Sequence, residues 1–264
     1  PSNVCFVALT YVLEPKFLGE QKSKAAQLGI RLLMEQGIHP HIIGCRCASP
    51  VTQKIKEKIS IYTNVPIERV ASIHDVASIY TIPQILAQEG VDTAIMDILD
   101  LKSRSRKNTR ACKEWSVFTA QVIKNKKRRV TIGIAGKYTN LPDAYASIIK
   151  ALEHAGVAHE IDVDIRWLET SVFEKDPSSI KKAMRGVDGI VVPGGFGKRG
   201  VEGKITCARY AREKGIPYLG ICLGFQVALI EFARNVCGLK DAHTTEIASG
   251  TKHPVVDILP SQRD

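Results

Sequence analysis

Short apolar runs alternate with helix-like stretches along both halves of the chain. The runs that we interpret as strands are residues 5–12, 41–45, 70–73, 130–134, 161–168, 189–192 and 218–221. The helical patterns between them are residues 24–35, 78–89, 143–155 and 202–213. This alternation is typical of parallel sheets that are covered by helices. The sequence therefore predicts an α/β fold of two doubly wound, mostly parallel-sheet units, with functional sites at the carboxyl ends of strands.

The net charge of +10 is concentrated in one segment. Residues 102–129 contain eleven Lys or Arg and one acid, whereas the rest of the chain is balanced. A basic face on a folded domain would indicate nucleic-acid binding, but a local charged run more often forms a solvated linker. Trp115 and Phe118 stand alone and do not form the aromatic series that single-strand binding requires. We predict domains at 1–101 and 130–264, a basic linker at 102–129, and no nucleic-acid partner.

Composition narrows the class of protein. At 264 residues and 44% hydrophobic, the chain can bury one large core or two modest ones. It contains no run of about 18 apolar residues and no signal-peptide layout, so we expect a cytoplasmic protein without a membrane partner. The seven cysteines form no C-x-x-C pair, which predicts free thiols and no metal site.

One cysteine lies in a candidate catalytic motif, Gly220-x-Cys222-x-Gly224. The motif follows a strand-like run and precedes apolar residues at helical spacing, as in a strand-turn-helix nucleophile elbow. At the helix N-terminus the dipole would favour a thiolate, and the N–H of Leu223 would face an oxyanion. The alternative is that Cys222 is a small buried core residue.

A second glycine-rich loop, Pro193-Gly-Gly-Phe-Gly197, directly follows the strand 189–192. Its glycines permit close backbone approach, and Gly195 could supply a second N–H to an oxyanion. Two glycine-rich strand ends, one of them bearing a thiol, favour covalent catalysis on an amide over simple packing.

Taken together, these motifs resemble those of the CTP synthases, whose class I glutaminase domain carries PGGFGxRGxEGK and GICLGxQ. The matching residues are 193–204, 220–226, 231–235, 244–246, 136–138 and 143–147. The first half resembles the C-terminal part of the family's synthetase domain at 19–27, 45–47, 56–58 and 74–80. The resemblance implies a Rossmann-like, P-loop-type synthetase part and a flavodoxin-like glutaminase part.

The resemblance assigns a role to each matching residue. Cys222 would be the catalytic nucleophile. The residues implied for glutamine and its oxyanion are Gly195, Leu223, Gly224, Phe225, Gln226 and Glu246. Those implied for UTP and CTP are Lys22, Ser23, Lys24, Ala25, Ala26, Gln27 and Lys58, and those for ATP are His74, Asp75 and Val76. The loop 198–204 would move with GTP activation. Without the resemblance, these lysines would be interpreted as solvated surface residues.

The implied activity is ATP-dependent amination of UTP to CTP with ammonia from glutamine. The resemblance further implies ATP with Mg²⁺, whose ligands would lie outside this chain, GTP as an allosteric activator, and a homotetramer. A cysteine hydrolase or a chaperone-like relative is disfavoured because it would lack Lys58 and the motif His74-Asp-Val76.

Three departures from the family pattern limit this expectation. The nucleotide loop KTKPTQ is here Lys22-Ser-Lys-Ala-Ala-Gln27, and the family's phosphate-binding loop is not found. The family's His-x-Glu is also not found before Asp264, and the histidines at 154, 159, 243 and 253 are poor substitutes. Since losing a general base lowers rates by roughly 10² to 10⁴, we expect this chain alone to be inactive or very poor. The alternative is a non-catalytic, glutamine- or nucleotide-binding regulatory or assembly fragment.

Overall fold

The computed structural model describes residues 3–15, 19–103, 109–137, 139, 141–259 and 261. The chain divides into two compact units, residues 1–124 and 125–264. Each unit contains a parallel sheet flanked by helices, which confirms the α/β fold predicted from the sequence. Within the described residues, none of the helices combines the length and apolar character needed to span a membrane.

The first unit has a parallel sheet in the order β1-β2-β3. Its strands are β1 (Val7–Tyr11), β2 (Ile42–Cys47) and β3 (Val70–His74). Its helices are α1 (Lys24–Glu35), α2 (Gln53–Thr63), α3 (Ile82–Gln88), α4 (Val91–Ile98) and α5 (Thr109–Ile123). One sheet face packs through Ile43, Cys45 and Cys47 against α1 and α2. The opposite face contributes Ile42 and Ala71 to a second cluster with α3 and α4. Alternate residues of one strand thus reach both cores.

Helix α5 lies inside the basic segment that the sequence interpretation treats as a solvated linker. Trp115 Nε1 donates a hydrogen bond to the Tyr80 carbonyl oxygen at 3.0 Å. The Tyr80 ring meets the rings of Trp115 and Phe118 edge-on, with centroids 5.9 and 5.2 Å apart. Through these contacts Trp115 and Phe118 attach α5 to its own unit. Residues 104–108 lie outside the described residues, and the predicted domain bounds stay a prediction.

The second unit has a parallel sheet in the order β5-β4-β6-β7, together with a separate parallel pair, β8-β9. Its strands are β4 (Arg128–Gly136), β5 (Ile161–Glu169), β6 (Gly189–Val192), β7 (Tyr218–Gly220), β8 (Ala242–Thr244) and β9 (His253–Val256). Its helices are α6 (Ala146–Ala158), α7 (Thr170–Lys175), α8 (Ile180–Ala183), α9 (Val201–Lys214) and α10 (Leu223–Asn235). The strand order reverses between β4 and β6, and the carboxyl ends of these strands are where such sheets bind ligands.

Candidate functional site

Cys222 lies between β7 and α10 in a strained backbone conformation. Its φ is 54° and its ψ is −113°, outside the regions that residues with a Cβ normally adopt. Such strain persists only where the surroundings enforce it, and it concentrates at functional sites. The side chain is exposed, whereas Cys45, Cys47 and Cys207 are buried. The structure therefore excludes the alternative that Cys222 is a core residue and shows the elbow that the motif predicts.

The glycines on either side of Cys222 explain how the elbow is enforced. A Cβ on Gly220 would lie 2.6 Å from the backbone of Gly224. A Cβ on Gly224 would lie 1.8 Å from the carbonyl oxygen of Val192 on β6. Both contacts are with backbone atoms, which cannot rotate away. Only glycine at these two positions lets the turn close on itself and lets α10 pack against β6.

Helix α10 begins at Leu223, directly after the cysteine. The amides of Phe225 and Gln226 both donate to the Cys222 carbonyl oxygen, at 3.0 and 3.2 Å. As the first residue of the helix, Leu223 has an N–H without an intrahelical acceptor. Leu223 and Gly224 are buried, whereas Phe225 is exposed. Cys222 thus sits where a helix dipole and a backbone N–H favour negative charge.

The glycine-rich loop after β6 approaches the cysteine. A Cβ on Gly194 would lie 3.4 Å from Cys222 Cβ and 3.7 Å from its Sγ. The next residue, Gly195, has a φ of 154°, which a residue with a Cβ rarely adopts. The structure therefore brings together the two loops that the sequence singled out. The assignment of Gly195 to the oxyanion stays a prediction.

A cavity of about 430 Å³ opens where the strand order reverses. Lys137 follows β4, and Pro193, Gly194 and Gly195 follow β6. Its lining residues are Lys137, Ala144, Tyr145, Ser147, Ile148, Pro193, Gly194, Gly195 and Lys204. The sequence interpretation did not identify Lys137, Tyr145 or Ser147 as functional residues. Two of them could have been found from their positions: Lys137 directly follows the strand β4, and Tyr145 lies in a short turn. Tyr138, part of the motif Gly136-Lys-Tyr138, lies outside the described residues.

Glu246 lies on the loop between β8 and β9, a strand pair that packs against α10. Its backbone N–H donates to Thr244 Oγ1 at 3.3 Å, and its side chain is exposed. Its predicted contact with the substrate amino group stays a prediction.

The predicted nucleotide residues of the first unit converge on a cavity of about 550 Å³. Lys22, Ser23, Lys24 and Gln27 reach it from the start of α1, and Lys58 reaches it from α2. Ala25 is exposed and Ala26 is buried under α1, and neither lines the cavity. The sequence interpretation missed the lining residues Glu14, Gly19, Glu20, Gln21, Ser49, Pro50, Thr52, Lys54 and Ile55. Lysines from two helices therefore make this cavity suited to an anion.

Glu14 fixes one wall of this cavity. Its carboxylate accepts hydrogen bonds from Ser49 Oγ at 2.7 Å and from the Ser49 amide at 3.1 Å. The Ser49 hydroxyl lowers the pKa of Glu14, so the carboxylate is charged at neutral pH. Gln21 also donates to Ser49 Oγ, at 3.1 Å. The position of Glu14 three residues after β1 was the available signal, because strand ends line such sites.

The predicted ATP residues lie at the carboxyl end of β3. His74 Nδ1 is 3.3 Å from Ser72 Oγ, and Asp75 accepts a hydrogen bond from Arg46 at 2.6 Å. Val76 follows in the loop. These contacts order the strand end, and the role in ATP binding stays a prediction.

Within the described ranges, three or more His, Cys, Asp or Glu side chains nowhere gather closely enough to hold a metal ion. The described residues therefore provide no such cluster for Mg²⁺. Of the histidines considered as bases, His154 lies on α6 and His159 at its end, and His253 opens β9. His243 Nε2 is 3.7 Å from Glu202, and burial lowers the pKa of this imidazole.

Comparison with known proteins agrees with both halves of this description. Residues 1–101 match the family model for the CTP synthase N-terminus, and residues 140–259 match that for class-I glutamine amidotransferases. CTP synthase of Pyrococcus abyssi is 46% identical over 99% of this chain and 47% of its own length. CTP synthase of Methanopyrus kandleri is 44% identical over 99% of this chain and 48% of its own length.

Among solved structures, the glutaminase domain of Trypanosoma brucei CTPS with bound acivicin is 42% identical, with a TM-score of 0.49. That match covers 51% of this chain and 52% of the other. The chain thus spans about half the length of the curated relatives that it matches. With a synthetase-type match in one unit and a glutaminase-type match in the other, the chain belongs to the CTP synthase family.

Proposed function

We propose that this chain carries the glutamine-hydrolysing cysteine and the pyrimidine-nucleotide cavity of a CTP synthase. The observation that carries the proposal is the strained Cys222 elbow, enclosed by Gly220 and Gly224 and approached by Gly194. Family membership supports the reaction class, namely amination of UTP to CTP with ammonia from glutamine.

In this proposal the Cys222 thiolate attacks the carboxamide carbon of glutamine. A C–S bond forms, and the carbonyl oxygen becomes an oxyanion that faces the N–H groups of Leu223 and Gly195. When the C–N bond breaks, ammonia leaves after gaining a proton, and a glutamyl thioester remains. Water then hydrolyses the thioester to glutamate and restores the thiol. Phe225, Gln226 and Glu246 would hold the rest of the substrate.

In the first unit, the 550 Å³ cavity would take UTP as substrate or CTP as product. Lys22, Lys24 and Lys58 would bind the phosphates as point charges, while the carboxylate of Glu14 would accept hydrogen bonds from the nucleoside. The replacement of a Pro-Thr pair by Ala25-Ala26 leaves the lysines in place, because neither alanine lines the cavity.

Further properties of the proposed enzyme follow from the family. ATP with Mg²⁺ would activate UTP, with His74, Asp75 and Val76 near the ATP. GTP would act on the loop 198–204. We also propose a cytoplasmic homotetramer.

The proposed function is tested by labelling Cys222 with the chloroketone analogue of glutamine, in which a chloromethyl ketone replaces the carboxamide. The thiolate forms a C–S bond as chloride leaves, so no base is needed. We expect labelling of the Cys222 peptide in mass spectra, protection by glutamine, and no protection by glutamate at the same concentration. Cys222→Ser should abolish the label. Equal labelling of Cys112, which is also exposed, would contradict a glutamine site.

The second candidate is a non-catalytic, glutamine- or nucleotide-binding regulatory or assembly fragment. It predicts that the chain binds glutamine and reacts with the chloroketone but releases no ammonia. Ammonia release by the chain alone, measured with a coupled dehydrogenase, would exclude it.

A further inference from the structure

A buried lysine, Lys204, lies beneath the glycine-rich loop. It is the fourth residue of α9, and only 4% of its surface is exposed. Its ammonium donates to the carbonyl oxygens of Pro193 at 2.7 Å and of Gly194 at 3.1 Å. A fully buried lysine is rare unless its charge is compensated, so this placement requires an explanation.

The position of α9 forces Lys204 under the loop. A Cβ on Gly203 would lie 1.9 Å from the carbonyl oxygen of Thr170 on α7, so these helices are in backbone contact. Gly200, at φ 81°, starts the helix in a left-handed conformation. Because the close approach at Gly203 sets the depth of α9, the Lys204 side chain cannot swing out to solvent without moving the helix.

The two carbonyls that Lys204 holds belong to consecutive peptides of the loop. Fixing the carbonyl oxygens of Pro193 and Gly194 fixes the planes of the peptides that follow each of them. The N–H groups of Gly194 and Gly195 belong to those same peptides and point away from the carbonyls. Because Gly194 and Gly195 have no Cβ to restrict rotation, hydrogen bonds to these carbonyls contribute strongly to the orientation of the two peptides.

We propose that Lys204 is a positioning residue for the oxyanion site of Cys222. Its ammonium holds the Pro193 and Gly194 carbonyls turned inward, so that the Gly195 N–H is presented to the substrate carbonyl oxygen. This inference rests on the proposed glutaminase function. It assigns the buried charge to loop geometry, and direct contact with the substrate is not required.

A second effect of the charge has to be separated from positioning. The ammonium also attracts the Cys222 thiolate, while burial and the repulsion from Lys137 lower the pKa of Lys204 to about 8. Purely electrostatic assistance would change the reactivity of the thiolate toward every electrophile. Positioning would change reactivity only toward an electrophile whose carbonyl oxygen occupies the oxyanion site.

The test therefore uses two electrophiles on the 264-residue chain. The glutamine chloroketone places its ketone oxygen in the oxyanion site. Iodoacetamide alkylates the thiolate without having to occupy that site. For Lys204→Met we expect the second-order rate of chloroketone labelling at Cys222 to fall about 10- to 100-fold. The iodoacetamide rate at Cys222 should change less than about threefold, because the thiolate stays at the helix N-terminus. Lys214→Met, an exposed lysine of the same helix, is the matched control and should leave both rates unchanged.

Circular dichroism shows whether Lys204→Met folds. A second variant, Lys204→Gln, keeps the proposal testable if Lys204→Met does not fold. Lys204→Gln keeps a polar donor but is one atom shorter, so we expect a several-fold loss with the chloroketone alone. Equal losses with both electrophiles would overturn positioning in favour of a purely electrostatic role. Chloroketone rates within about twofold of wild type in the folded variants would overturn any role. Failure of the wild-type chain to show glutamine-protected labelling would instead contradict the proposed function.

Discussion

Gly224→Ala is the substitution whose effect the structure defines most directly. The added Cβ would lie 1.8 Å from the carbonyl oxygen of Val192 and 2.7 Å from its carbonyl carbon. Ordinary carbon–oxygen contacts are about 3.3 Å or longer, so the overlap is roughly 1.5 Å. Both partners are backbone atoms, so α10 has to move away from β6. Overpacking of this kind destabilises by about 1 to 3 kcal/mol, and we expect a value near the upper end because no rotamer relieves it.

The same displacement should lower the reactivity of the site. Moving the start of α10 by about 1 Å displaces Cys222 and the Leu223 N–H from the Gly194 loop. A misplacement of that size lowers rates about 10²-fold, so chloroketone labelling of Cys222 should decrease by that factor.

The assay is urea unfolding of the second unit, followed by fluorescence of Trp167. The chain has two tryptophans, and Trp115→Phe removes the one that lies in the first unit. With a slope of about 2 kcal/mol per molar urea, a loss of about 3 kcal/mol lowers the midpoint by roughly 1.5 M.

Gly250→Ala is the matched control, because nothing lies within 4 Å of a Cβ at that position in the same unit. It should shift the midpoint by less than about 0.3 M. A Gly224→Ala midpoint as close to wild type as this control would refute the packing argument.

Three further predictions follow from charges. Arg212→Met should destabilise the second unit by about 3 kcal/mol in the same urea assay, because it removes the Arg212 guanidinium that lies 2.7 Å from the buried Glu231 carboxylate. The control is Arg209→Met, which removes an exposed ion pair with Glu213 and should destabilise by less than about 0.5 kcal/mol. Lys204 is charged in the unfolded chain up to pH about 10.5 but has a folded-state pKa of about 8, so the folded state loses its proton first and stability rises with pH. Between pH 7 and 8.5 the loss of this proton should raise the free energy of unfolding of wild type by about 0.8 kcal/mol relative to that of Lys204→Met, as measured by urea unfolding. If the difference in stability between the two proteins does not change with pH, Lys204 does not carry a buried charge. Lys58→Met should weaken CTP binding about tenfold in calorimetry, whereas Lys214→Met should not, and equal affinities would remove Lys58 from the nucleotide site.

Local sequence patterns were sufficient for much of the fold. The helix predicted at 24–35 coincides with α1, and the strand predicted at 189–192 coincides with β6. The helix has apolar residues at helical spacing, and the strand is an uninterrupted apolar run. The Cys222 elbow could also be predicted from the sequence, because the glycines that permit its strained conformation lie only two residues before and after it.

The missed helices show where local patterns fail. Helix α5 lies in a charged segment, and only its packing on Tyr80 reveals which face is buried. Helices α2 and α4 were also not predicted, because short amphipathic segments are defined by the sheet on which they pack.

By itself, the sequence was sufficient to predict the α/β fold class, most of the strands and the turn at Cys222 between a strand and a helix. Tertiary structure alone decided that Glu14 joins Ser49 across 35 residues and that Lys204 is buried beneath Pro193 and Gly194. The physical reason is that the ionisation and orientation of a side chain depend on solvent exclusion. Solvent exclusion is a property of segments that meet in space, whereas a sequence motif records only neighbours along the chain.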